Sequence, residues 1–218
     1  MKNWKNTITN LGAAFFAAVS IICIAVTAVV LARPLYYLDL KLLSIPETSG
    51  ISAAACKLNY DTLIDYNLIG GPSELIFPTL KMSETGRIHF EEVKDIFVTM
   101  QIVAIIAIIA LAAWAVLYRR GKVKNLKWMR WTGLVTFAAA SVVGIAVAVD
   151  WETAFMLMHK VFFRNNYWMF NSYTDPVIKI LPSGFFMHCG ILIIVLVFVQ
   201  IVLLELAYRR LKNGRGDI

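Results

Sequence analysis

Four stretches of the chain are apolar on every face of a helix: Leu11 to Ala32, Ile96 to Tyr118, Trp131 to Val149 and Phe185 to Ala207. The first three hold no charged residue. Roughly 20 such residues, rising 1.5 Å each as helix, cross a hydrocarbon layer about 30 Å thick. Between them the pattern breaks. Residues 33–95 carry Pro34, Pro46, Pro72 and Pro78, the turn signal Gly70-Gly71-Pro72 and the alternation Leu75-Ile76-Phe77, which predicts short helices or strands between turns. Ser83 followed by Glu84 reads as the start of a helix that continues through His89 into the second span. His89 then stands about 10 Å above the hydrocarbon, at headgroup depth. In residues 150–184, Phe155, His159, Phe162 and Phe163 recur on one helical face, and Leu181-Pro182-Ser183-Gly184 marks the stop before the last span.

The expected fold is an all-α membrane core of four transmembrane helices with a small mixed extracytoplasmic cap. Its divisions are 1–32 (tail and first span), 33–95 (first outer segment), 96–118 (second span) and 119–130 (basic loop). There follow 131–149 (third span), 150–184 (second outer segment) and 185–218 (fourth span and tail). The first span is longer than a signal-peptide core and lacks a small-residue cleavage pattern, so it reads as a retained helix.

Composition sharpens the class. Of 218 residues, 59% are hydrophobic and 16% charged, far more apolar than a soluble domain. The net charge of +7 is a topology signal: the N-terminal tail (Lys2, Lys5), the loop 119–130 and the C-terminal tail hold 12 of the 21 basic residues. By the positive-inside rule these segments, and both termini, face the cytoplasm of a cell membrane. Basic residues split over three short segments without a binding motif make a poor nucleic-acid groove. Cys23 and Cys189 fall in spans and only Cys56 in a loop, so no disulfide framework is predicted.

The remaining chemistry lies on the outer side. His89, His159 and His188 all sort there, near the depth of a lipid ester. Each imidazole reads either as an interfacial hydrogen-bonder or as a general acid or base. No Gly-x-Ser-x-Gly element is present for a serine nucleophile, and Cys56, in an alanine run, reads as a buried small residue. The histidines, 70 and 29 residues apart, match no helical zinc motif, although three of them suffice to hold zinc with an open position. Glu205 sits four residues before Arg209 and reads as its partner at the membrane edge.

A family resemblance joins these residues. Ser83-Glu84, His89 and Val93-Lys94-Asp95-Ile96-Phe97 enter one membrane helix. His159, Phe162-Phe163, Asn165-Asn166, Trp168, Asp175 and Leu181-Pro182 with Phe185-Phe186 precede another. The pattern resembles the lipoprotein intramolecular transacylase family over essentially the whole chain. The resemblance implies a four-helix protein of Gram-positive bacteria with an extracellular cap. It also implies a diacylated lipoprotein as substrate, membrane lipids as surroundings, and transfer of the sn-2 acyl chain to the α-amine of the lipoprotein's N-terminal cysteine. Neither metal nor cofactor is implied. His159 becomes the expected base and His89 its acid or electrophilic partner. Tyr60, Arg164, Asn165, Asn166 and Trp168 become candidates to bind substrate, and His188 a structural residue. Two other classes stay open at this level: a non-catalytic lipid- or lipoprotein-binding accessory protein, and a zinc-dependent membrane hydrolase.

Overall fold

A computed structural model describes residues 2–213, with side chains from residue 8 onward. The side chains of Lys2 and Lys5, and Arg215, lie outside the described residues. Four long helices form the base: α1 (Lys2–Leu31), α5 (Glu84–Arg119), α6 (Lys127–Val149) and α9 (Ser183–Asn213). Each contains a window long and apolar enough to span a membrane. The cap is built from α2 (Arg33–Leu42), α3 (Ile45–Ser49), α4 (Ala53–Tyr66), α7 (Trp151–Phe162) and α8 (Val177–Ile180).

In lipid the helices gain little from apolar burial, so close packing and polar bonds must join them. Helix α1 does this from the centre, touching α5, α6 and α9. Ala14, Ala18 and Ala25 are buried and let neighbouring backbones approach. The Thr132 hydroxyl on α6 donates to the Trp128 carbonyl at 2.8 Å and also reaches the Ala14 carbonyl of α1 at 3.4 Å. Gln200 on α9 donates to the Ile21 carbonyl of α1 at 3.1 Å. Outward, Ile105, Ile109, Val142 and Val143 are exposed, as a lipid-facing surface requires.

Helix α5 is far longer than the membrane needs. Its 36 residues measure about 54 Å at 1.5 Å each, so the turns before Ile96 stand clear of the hydrocarbon. As expected, Ser83 caps it: its hydroxyl accepts the Gly86 N–H at 3.0 Å. Asp175, 2% exposed, completes the start, its Oδ1 accepting the Ser83 N–H at 2.7 Å and its Oδ2 the Thr174 hydroxyl at 2.6 Å. Lower on the helix, Gln101 donates to the Asn67 carbonyl (2.8 Å) and accepts the Ile69 N–H (3.2 Å), tying the end of α4 to the span. Lys94 reaches the Pro72 carbonyl and lies over the Tyr66 ring.

The mixed cap expected from the sequence is corrected: among the described residues there is no strand, and the cap is helical. The Leu75-Ile76-Phe77 alternation is real, with Leu75 and Phe77 buried and Ile76 exposed. It has no backbone ladder to join. Instead Asn59 of α4 clamps the following turn, donating to the Thr79 hydroxyl (2.6 Å) and accepting the Thr79 N–H (3.2 Å). Side-chain bonds replace the ladder that a strand would need.

Tyr36, Tyr60 and Phe185 centre the cap core. The two tyrosine rings stack at 3.9 Å between centroids, and Phe185 sets its edge against both. Tyr36 donates to the Ile180 carbonyl at 3.0 Å, joining the two outer segments. Cys56 is fully buried here, in keeping with its reading as a small core residue. His188 on α9 bonds the fully buried Asp39 of α2 through Nδ1 at 2.9 Å, a tie between cap and bundle. Glu205 accepts from Arg209 at 2.7 Å.

Gly86 tests the joint at the start of α5. A Cβ there would meet Asp175 Oδ1 at 2.3 Å and Met82 Cγ at 3.3 Å, and Asp175 is held by two hydrogen bonds. Gly86→Ala gains helix propensity of about 1 kcal/mol but loses more to overpacking, roughly 1–3 kcal/mol. Its melting temperature in detergent is expected to fall. Gly133→Ala, whose Cβ meets nothing within 4 Å, is expected to leave it unchanged or raise it.

Candidate active site

Two helices from opposite outer segments deliver the central side chains. His89 projects from the membrane-distal turns of α5, less than two turns past the Ser83 and Asp175 anchor. His159 projects from α7, whose start is fixed twice. Asp150 caps it by accepting the Thr153 N–H at 3.1 Å. Trp151 Nε1 donates to the Ser183 hydroxyl at 2.7 Å, which in turn donates to Glu152 at 2.6 Å, binding α7 to the start of α9.

The imidazole centroids lie 6.1 Å apart, and both rings are buried, His89 at 5% and His159 at 9% exposure. Aromatic rings enclose them. Phe163 stands 4.7 Å from His89 and 5.6 Å from His159, Phe170 covers His89 at 5.4 Å, and Phe155 and Trp168 flank His159 at 4.3 and 4.8 Å. The predicted apolar face of α7 is thus observed for Phe155, His159 and Phe163. Phe162 departs from it and is 51% exposed; the chain turns extended at Phe163, and it is that ring which lies against His159.

The hydrogen bonds define proton states. His159 Nδ1 lies 2.8 Å from the Phe155 carbonyl. A carbonyl only accepts, so Nδ1 carries the proton and Nε2 is left with its lone pair. His89 Nδ1 is buried without a partner. Burial and, second, the neighbouring His159 push the His89 imidazolium down to about 4. Burial also lowers His159, opposed by its bond to Phe155. Desolvation disfavours the charged form; both rings are neutral near pH 7.

The other sequence candidates divide. Trp168 flanks His159 and donates its indole N–H to the Asn165 carbonyl at 3.1 Å. Asn165 also donates through Nδ2 to Glu92 Oε1 at 2.8 Å. Arg164 and Asn166 are exposed on the same turn. Tyr60 sits apart in the cap core, with the rings of Phe185, Phe186 and Phe155 between it and His159; burial raises its hydroxyl above the usual tyrosine range. Glu92 and Asp175 were not singled out by residue chemistry. Glu92 was accessible through its spacing, three residues from His89 on one helical face; Asp175 gave no local signal of its contact with α5. Among the described residues, no three His, Cys, Asp or Glu side chains gather as a metal site, and His188 is engaged by Asp39.

Four apolar spans with a desolvated histidine pair at one end define an integral membrane protein whose polar chemistry is concentrated outside the hydrocarbon, under an aromatic cover. The family model described as Lipoprotein intramolecular transacylase Lit matches residues 11–186. The chain belongs to that family. The in meso structure of the membrane integral lipoprotein intramolecular transacylase Lit from Bacillus cereus is similar at 32% identity and a TM-score of 0.89, covering 99% of this chain and 100% of that one. Two further structures of the Bacillus cereus protein, each with one histidine replaced, are also 32% identical. The alanine variant has a TM-score of 0.83 with coverage of 100% and 98%, and the arginine variant 0.82 with 100% and 96%. No curated protein sequence matches the chain at a significant level.

The lowered histidine pKa values carry a sign. The unfolded rings take up protons as pH falls below 6.5 while folded His89 stays neutral to about 4, so the unfolded state binds more protons in that window and stability drops. Melting temperature is expected to decline from pH 6.5 towards pH 4. In His89→Phe the decline should be shallower, with His159 supplying the part that persists.

Proposed function

We propose that this chain is an intramolecular transacylase of the outer membrane face. It moves the sn-2 acyl chain of a lipoprotein's diacylglyceryl group to the α-amine of the same N-terminal cysteine, yielding the lyso form. The observation that carries this reading is the buried, neutral histidine pair in a member of the transacylase family. An α-amine titrates near 8 and is largely protonated at neutral pH, so the nucleophile must first lose a proton. His159, its Nδ1–H held by Phe155, presents Nε2 as base. The amine nitrogen attacks the ester carbonyl, and neutral His89 donates an N–H to the developing oxyanion. The C–N bond forms in that attack, one of the ammonium's two surplus protons having gone to solvent and the second to His159; collapse then breaks the bond to the sn-2 oxygen, and His159 passes its proton to that oxygen. Ester becomes amide with no acyl-enzyme and no other reactant.

The surroundings suit that sequence. Trp168, Phe155, Phe163 and Phe170 exclude the water that would hydrolyse the ester. Arg164 and Asn166, exposed beside the pair, are available to the substrate's peptide and glyceryl parts, and Asn165 and Tyr60 are proposed to shape the surfaces behind it. Orientation is proposed from charge and supported by contacts at the far end of the bundle. Asn10 meets Asn125, and Tyr118 donates to the Leu211 carbonyl at 3.3 Å, which gathers the basic loop and both tails at the end away from the histidines.

The fragment masses of a lipoprotein's N-terminal peptide, which place each acyl chain on glycerol or on the α-amine, test the reading with and without this protein. Co-expression with the wild type is expected to move one acyl chain from glycerol to the α-amine at unchanged total mass. His89→Ala and His159→Ala should each lower this by at least about 100-fold while the protein persists in the membrane. Full activity in both variants sinks the proposal. Retained lipoprotein binding with unchanged acylation in the wild type would indicate an accessory binding protein instead.

A further inference from the structure

Beside the histidine pair lies an acidic group that the transfer chemistry leaves without a task. Glu92 is three residues beyond His89 on α5, so both side chains leave the helix on one face. One of its oxygens, Oε1, accepts the Asn165 amide at 2.8 Å. The other, Oε2, is buried with no hydrogen-bond partner, and so is Nδ1 of His89, one helical turn earlier. Such orphaned polar atoms are costly, each leaving part of a desolvation penalty of about 1–3 kcal/mol uncompensated. A carboxylate oxygen only accepts, so what completes it must be a donor, and a cationic donor satisfies it best. The Asn165 bond keeps this oxygen from turning away. Through its carbonyl Asn165 also holds Trp168 against His159, so the carboxylate and the imidazole pair share one support.

We propose that Glu92 is the recognition residue for the substrate's primary amine: its free Oε2 receives the α-ammonium group before His159 removes a proton. This rests on the reading that the ligand is a diacylglyceryl-cysteine peptide, and it adds selection for an unmodified amino terminus. Binding the ammonium next to the carboxylate also holds the nitrogen beside the imidazoles rather than in solvent. Once the product is an amide, the positive charge is gone and the carboxylate no longer favours the bound group, which assists release.

The test uses the full chain in lipid nanodiscs and two non-reacting probes, a dialkylglyceryl (ether-linked) cysteine peptide with a free amine and its N-acetylated counterpart. Wild type is expected to bind the free amine roughly 10- to 100-fold more tightly, the range of a hydrogen bond to a charged group. Glu92→Gln, which retains an oxygen for Asn165, should bring the ratio close to one by weakening the free-amine probe alone. Glu92→Asp should restore part of it. Equal weakening of both probes in Glu92→Gln, or a wild type indifferent to acetylation, overturns the proposal. Acyl transfer is read separately on the ester-linked peptide, by fragment masses that place the acyl chain on glycerol or on the amine: its absence in wild type defeats the transacylase reading, while the amine preference is judged by the ether probes alone.

Discussion

The placement of one buried carboxylate governs the outer half of this protein. Asp175 belongs to the second outer segment, yet its oxygens meet the start of α5, taking the Ser83 N–H and pressing against Gly86. A helix start offers unpaired N–H groups and the positive end of the backbone dipole, so a carboxylate there is both bonded and stabilised electrostatically. The bond closes a loop of 92 residues and brings the aromatic stretch following α7 over α5. Because α5 runs unbroken into the membrane, any shift at its start is transmitted to His89 and Glu92 as a rigid displacement. The distance between the two imidazoles therefore depends on a contact that touches neither ring.

The histidine pair is a poor arrangement for stability and a good one for proton transfer. Two imidazoles surrounded by Phe, Trp and one another lose water without gaining full hydrogen bonding: His159 has one carbonyl partner, and His89 Nδ1 none. A soluble core would satisfy such groups or replace them with apolar ones. Their retention in the neutral state supplies a base with a free lone pair and a donor with a free N–H in one dry place. Catalytic groups are commonly found where environment and partner groups shift pKa values in this way.

Much of this was legible in the sequence, and the reasons differ by element. The spans were readable because lipid requires about 20 apolar residues in succession, and the α5 extension because Ser83 and Glu84 announce its start. His159 was placed on an aromatic face by spacing alone. What failed was the cap: the Leu75-Ile76-Phe77 alternation has the period of a strand, but pairing is not a local property, and Asn59, 20 residues from Thr79, satisfies that segment instead. The Asp175 contact with Ser83 and the Asn165 contact with Glu92 span 92 and 73 residues, and no local pattern records them. Tyr60 matched the resemblance as a substrate residue, yet its ring is occupied by Tyr36 and Phe185. Any role it has in substrate binding acts from behind that wall.

The distribution of nucleophiles bears on the proposal that acceptor and donor belong to one substrate. Cys56 is fully buried in the cap core, its thiol bonded to the Ile51 carbonyl at 3.4 Å and pushed up in pKa by burial, so it is held as the unreactive thiol. Ser183, at the start of α9 beside α7, is occupied between Trp151 and Glu152. Neither stands against the imidazoles. A covalent acyl-enzyme would need a third group poised beside the base; a substrate that carries its own amine supplies it, already tethered near the ester, and the effective concentration of that tether replaces part of the catalytic work. In the proposed reaction the protein is left with tasks its geometry fits: removing a proton, stabilising an oxyanion and excluding water.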